Sequence, residues 1–314
     1  MSWFLNWSHS LRRTFVKDYA IPVSVVQDPY FEYQIDFLDK QYNTWEKVAL
    51  LEEALARFKD EEELNKYMRE TREAVIDGVK SSHAYEGYCS NTAVLPFAQM
   101  SWERKVPDKC VYKLDNVGLR MVSIDLVSAN FQVFKLFWPE LVNHKDSYEG
   151  FISQFTDLEY FKKSKKIRQV IFGNLCPKRQ ARISKDVMFA MWQHFEQKEM
   201  HLEMRMLSAD EIVFREVTHL VQHPLLCIEA KLSDMAFDKK KVEARVQEFT
   251  IEPVKMRTSS AYIKRYPDGS FDLKCCPGPY TIEVLRHIYG QPSHPYDKVF
   301  YNDGRLCEYK DSLF

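Results

Sequence analysis

Leu119-Arg120-Met121-Val122-Ser123-Ile124 is an apolar run that ends in Asp125. Further along, Leu207-Ser208-Ala209-Asp210-Glu211-Ile212-Val213-Phe214 is a turn carrying two acids between apolar residues. The first reads as a β-strand with a carboxylate at its end. The second reads as the tip of a hairpin, with strands over Leu202 to Leu207 and Ile212 to Val217 and the turn Ser208-Ala209-Asp210-Glu211 between them. Strands hold side chains rigidly, so two such acids can be fixed side by side.

The flanking chain supports a mixed α+β fold. Asp115-Asn116-Val117-Gly118 is a turn signal before the first strand. After Asp125, Phe131 to Trp138 predicts an apolar helix stopped by Pro139. The segment 157–175 reads as one basic helix that ends before Pro177, because proline disfavours a helical residue ahead of it. A longer helix is expected from about Lys178 to Lys198, with Ile183, Val187, Met191 and Phe195 on one stripe. Upstream, residues 1–42 read as aromatic-rich and irregular, with Pro22 and Pro29 as breakers. Asn43 with Glu46, and Asp60 with Glu63, predict two helix starts by the capping-box pattern. The two helices, reaching to about residue 80, form an antiparallel pair. The last hundred residues are strand-rich. The division expected is 1–110, helical; 111–225, the central unit with both acids; and 226–314, a strand-rich accessory region.

Composition narrows the function. The chain has 314 residues, 45% apolar and 14% aromatic, enough for a sizeable core. Its net charge of −1 excludes a general polycation, so contact with nucleic acid must come from a local patch. Lys162, Lys163, Lys165, Lys166, Arg168, Lys178, Arg179, Arg182 and Lys185 supply one, with no acid among them. Seven cysteines, Cys227 included, contain no C-x-x-C pair, which argues against a zinc site of ordinary spacing and against a disulfide framework. No apolar run approaches the length of a membrane span. A reduced, cytoplasmic setting is expected.

Two carboxylates on neighbouring strands, with a cationic helix between them in sequence, are the parts of a two-metal nucleotidyl-transfer site. The acids hold Mg²⁺ or Mn²⁺, and the cations meet a triphosphate. At this point the chain resembles the family A polymerases, meaning the DNA polymerase I-like enzymes and the single-subunit phage RNA polymerases. Val122-Ser123-Ile124-Asp125 through Gln132 resembles motif A. Arg168-Gln169-Val170-Ile171-Phe172-Gly173-Asn174-Leu175 resembles motif B, and Leu207 to Phe214 resembles motif C. The likeness covers about residues 119–217. Arg168 stands where that family has lysine, and Ala209 where its DNA enzymes have histidine. The upstream Thr/Asp-x-x-Gly-Arg element has no clear match, and the fingers are short.

The resemblance implies a polymerase-like palm, a minimal fingers helix and a thumb-like N-terminal region. It implies Asp125 and Asp210 as metal ligands, with Glu211 beside them as a third catalytic acid. It places Arg168 and Phe172 on the nucleotide, with Lys165 and Lys166 assisting, Asn130 at the position that discriminates the sugar, and Gln132, which matches a glutamine in motif A of the phage RNA polymerases, among the nucleotide-binding residues. A template-directed DNA polymerase is the favoured reading. Gln132, the short fingers and the missing upstream element suit instead the catalytic subunit of a split phage-type RNA polymerase, working with a second subunit. A virus-infected host cell would suit so compact an enzyme. A non-catalytic nucleic-acid-binding protein with a degenerate palm, and an α/β interaction protein without chemistry, are the readings from other classes.

Overall fold

In the computed structural model, the described residues are 7–90, 110–197, 202–216, 236–237, 240–257, 259–310 and 312–314. Val217, Cys227 and the 225/226 division lie outside them. The fold is α+β. Five helices come first: α1 (His9–Asp18), α2 (Tyr30–Tyr42), α3 (Thr44–Leu55), α4 (Glu61–Lys80) and α5 (His83–Cys89). The central unit follows with β1 (Met121–Leu126), α6 (Ala129–Phe137), α7 (Tyr148–Ile152), α8 (Glu159–Lys163), α9 (Lys165–Gly173) and α10 (Pro177–Gln197). Next come β2 (Leu202–Leu207), β3 (Glu211–Glu216) and a small pair, β4 (Ala236–Phe237) and β5 (Lys240–Lys241). The chain closes with β6 (Ala244–Lys255), β7 (Ser260–Arg265), β8 (Phe271–Lys274), α11 (Thr281–Ile288), β9 (Val299–Asn302) and β10 (Arg305–Glu308).

Two expectations give way near the N-terminus. Residues 9–18 and 30–42 are helical, not irregular. Leu11 and Phe15 bury one face of α1, and the Ser8 side chain caps it by accepting from the Leu11 amide. Pro29, expected as a breaker in an irregular stretch, stands just ahead of α2, where a missing N–H costs nothing. Asn43 does not cap α3 with its side chain. It takes a left-handed conformation between α2 and α3, with φ 48°, a conformation asparagine tolerates better than most residues. At α4 the Asp60 carboxylate does accept from the Glu63 amide, at 2.9 Å.

The basic helix expected over 157–175 is two helices. Ser164 is extended (φ −67°, ψ 113°), ends α8, and caps α9 by accepting from the Ile167 amide at 3.1 Å. Serine competes for backbone hydrogen bonds and so favours caps over helix interiors.

The central sheet is antiparallel, in the order β2-β3-β1-β6-β7-β8. β6 is the long strand. Its residues 244–249 pair with β1 and its residues 250–255 pair with β7. β6, β7 and β8, all after residue 226, therefore continue the sheet that carries Asp125, while β4–β5 and β9–β10 form separate two-stranded sheets.

The pleat of β1 explains the layers. Val122, Ile124 and Leu126 point to one face and Met121, Ser123 and Asp125 to the other. The first set joins the main apolar core, which includes Leu51 of α3, Val75 of α4, Phe172 of α9 and Leu285 of α11. One core thus spans both divisions drawn from the sequence. The second face is covered by a smaller cluster of Val111, Met121, Met206, Val213, Phe249 and Ile251. No helix among the described residues is long and apolar enough to cross a membrane.

Candidate carboxylate site

The end of β1 is stitched to both neighbours. The Leu126 amide donates to the Asp210 carbonyl at 2.8 Å, and the Val127 amide to the Glu243 carbonyl at 3.0 Å. Within the sheet, Asp125 lies opposite Glu211 on β3 and opposite Arg245 on β6. Ser208 shapes the hairpin tip. Its hydroxyl donates to the Asp210 carboxylate at 2.8 Å and accepts from the Glu211 amide at 2.9 Å. Both acids read from the sequence are thereby held at one end of the sheet.

They open into a cleft of about 780 Å³ whose lining includes Asp125, Asp210, Asn130, Lys165, Arg168 and Arg245. The floor is built from the residues after β1, where Ser128 takes a left-handed turn into α6. The far wall is α9 with the start of α10. Arg168 donates to the Ser128 hydroxyl at 3.3 Å and lies 5.4 Å from the centre of the Tyr148 ring. Gln180 of α10 donates to the Asn130 carbonyl at 3.0 Å, tying that wall to the floor.

Charge is arranged accordingly. Burial pushes the Asp125 carboxyl up from 3.8 to about 6, and Glu211 and Asp210 push the same way. Arg245 and Lys264 oppose them. Glu211 is not part of the cleft lining. Its carboxylate meets the ammonium of Lys264 on β7 at 3.4 Å, and that ammonium also donates to Ser123 at 3.1 Å. Burial pulls the Lys264 ammonium below its usual range.

The other expected nucleotide contacts divide. Lys165, Arg168 and Asn130 face the cleft. Phe172 is fully buried against Phe134 and Tyr148, with ring centres 5.6 and 6.1 Å away, and belongs to the core instead. It was read on one face with Arg168, but α9 turns that stripe inward after the single charged position. Gln132 is likewise buried and outside the lining. Lys166 is exposed on another side of α9, where its charge acts on Asp18 of α1. The run of nine cations is therefore not one patch. Lys162 pairs with Glu159, and Arg179 lies 5.6 Å from the Trp138 ring.

Arg245 and Lys264 were not read from the sequence. Arg245 reaches the site by pairing with Asp125 across β1 and β6, and Lys264 by side-chain contact with Ser123 and Glu211 from β7; partners so distant in sequence are encoded by no local pattern.

Among the described residues, no group of three or more His, Cys, Asp or Glu side chains is placed to hold a metal ion unaided. Magnesium, however, commonly takes only one or two carboxylates and completes its shell with water and substrate phosphates. Asp125 and Asp210, adjacent and lining one cleft, fit an ion completed in that way. No protein-family model, curated protein or solved structure matches the chain.

Proposed function

We propose that the chain is a template-directed nucleotidyltransferase, with DNA synthesis favoured. The observation that carries this reading is the cleft itself. Asp125 at the end of β1 and Asp210 in the neighbouring hairpin turn line it together with Lys165 and Arg168 of α9. Acids and cations lining one cleft suit a reaction in which a triphosphate must be bound and a phosphoryl centre attacked.

Asp125 and Asp210 would hold Mg²⁺ or Mn²⁺ with the substrate, and the ion when bound supplies charge neutralisation and activation of the attacking hydroxyl. The chain's own groups do the rest. Arg168, oriented by Ser128 and Tyr148, presents a guanidinium to the β- and γ-phosphates, and Lys165 adds a second charge. Asn130, on the first turn of α6, lines the same cleft and would contact the sugar. The two anchored walls hold this geometry before substrate arrives, so little reorganisation is needed.

The test is extension of a labelled primer on DNA and RNA templates with Mg²⁺ or Mn²⁺, separately with deoxynucleotides and ribonucleotides, beside Asp210→Ala. Extension by the unmodified chain that is lost in the variant is expected. Incorporation of ribonucleotides alone would move the assignment to the RNA polymerase subunit. Nucleic-acid binding without extension, alone or with a partner subunit, would leave a binding protein.

A further inference from the structure

We propose that Lys264, on the C-terminal strand β7, is a positioning residue of the carboxylate site: it draws Glu211 away from Asp125 and Asp210, so that of these three acids only the two aspartates line the cleft. The inference rests on the nucleotidyltransferase reading and adds the C-terminal strands to its machinery.

Lys264 is only 4% exposed. Its ammonium lies 3.1 Å from the Ser123 hydroxyl and 3.4 Å from a Glu211 carboxylate oxygen. It also sits 4.4 Å from the centre of the Phe249 ring and 5.5 Å from that of Tyr266. Partners on β1, β3 and β6 thus fix it from three strands. Burying an ammonium is costly, and an apolar side chain of similar length would fill the same space without that cost. A charge retained there calls for an electrostatic task.

The task is visible in the register. Glu211 is the cross-strand partner of Asp125, and Ser123 lies two residues before Asp125 on the same face of β1. Like charges directly opposite one another in a sheet repel. Lys264 offsets that repulsion from behind and points the Glu211 carboxylate toward the sheet interior. Without it, Glu211 is free to join the two aspartates as a third carboxylate. Cation affinity then rises, because one more anion faces the ion. Turnover falls, because a protein oxygen takes a position that substrate phosphate must occupy.

The experiment is Mn²⁺ titration followed by electron paramagnetic resonance, with primer extension in parallel. It compares the unmodified chain with Lys264→Met, Glu211→Gln and the double variant. Lys264→Met is expected to bind Mn²⁺ about three- to ten-fold more tightly, as one added, partly screened carboxylate allows. Its kcat should fall about ten-fold with little change in nucleotide KM. In the Glu211→Gln background the tightening should vanish, since the cycle isolates the pair. If Lys264→Met does not fold, Lys264→Gln, which keeps an amide donor without the charge, serves in its place. A folded variant whose Mn²⁺ affinity is unchanged or weaker overturns the inference while leaving extension by the unmodified chain intact. Absence of extension by the unmodified chain overturns the reading beneath it, and the inference with it.

Discussion

The backbone of Leu126 and that of Asp210 are joined by a 2.8 Å hydrogen bond, from the amide of the first to the carbonyl of the second. That bond sets the end of one strand against the tip of the neighbouring hairpin. It makes Asp125 and Asp210 neighbours in space although 85 positions separate them in sequence.

Arg168 carries the phosphate-binding role in this account. Its guanidinium is oriented by Ser128 and Tyr148. Arg168→Met is expected to raise nucleotide KM by about ten- to a hundred-fold, the usual range for a charge-assisted phosphate contact. Arg168→Lys should recover only part of this, because an ammonium cannot reproduce a planar fork resting on a ring. Steady-state kinetics at fixed template measures both.

Phe172 separates packing from recognition. Its ring is fully buried between Phe134 and Tyr148. Phe172→Ala is expected to cost about 3–5 kcal/mol of stability, read from urea unfolding. Phe172→Leu should keep most of that stability and leave nucleotide KM unchanged. A large KM effect in the leucine variant would put the ring on the nucleotide after all.

Asp18 gives the fold a pH dependence of known sign. It is buried at the end of α1 and accepts from the Tyr160 hydroxyl at 2.7 Å. Burial raises its carboxyl from 3.8 to about 6, against the lowering effects of Tyr160, Lys166 and Arg72. The folded chain therefore keeps a proton that the unfolded chain releases. The stability this contributes is full below about pH 4 and is lost as pH rises through about 6. Asp18→Asn removes the dependence and keeps an acceptor for Tyr160. Its urea midpoint should exceed that of the unmodified chain at about pH 8, and the difference should shrink toward pH 4.

Cys89 at the end of α5 and Cys176 at the joint between α9 and α10 bring their sulfurs within 3.0 Å as free thiols. Burial raises the Cys89 thiol, with Cys176 pushing the same way, so spontaneous reaction is slowed. An added azodicarboxamide should nonetheless take two hydrogens and close the bridge within one molecule. Mass spectrometry should show this, and Cys176→Ser should prevent it. Intermolecular dimers in place of the internal bridge would contradict the geometry.

What the sequence made legible was local. The strand before Asp125 and the hairpin around Asp210 could be read because pattern and turn chemistry lie within a few residues of each other. The Asp60 cap was readable for the same reason. The break at Ser164 was hidden because a serine inside a basic run carries no apolar change to mark it. The inward face of Phe172 depends on where α9 meets α6 and α7. Arg245 and Lys264 were out of reach because one pairs with β1 from β6 and the other touches Ser123 and Glu211 from β7, in each case more than fifty positions from its partner. The same pairing joins β6, β7 and β8 to the sheet that the sequence divided from them.

The central claim is that Asp125 and Asp210 act together on one reaction, and the most direct measurement is primer extension by Asp125→Asn. The substitution keeps shape and removes the charge. It should also relieve the electrostatic cost of ionising a carboxyl held at about 6 among Glu211 and Asp210, so the folded state should be at least as stable at neutral pH. The account predicts a variant that folds, binds primed template as before, and extends it slower by about a thousand-fold or more, a loss on the scale expected for removing charge at the reacting centre. Extension at an undiminished rate by the folded variant would contradict it.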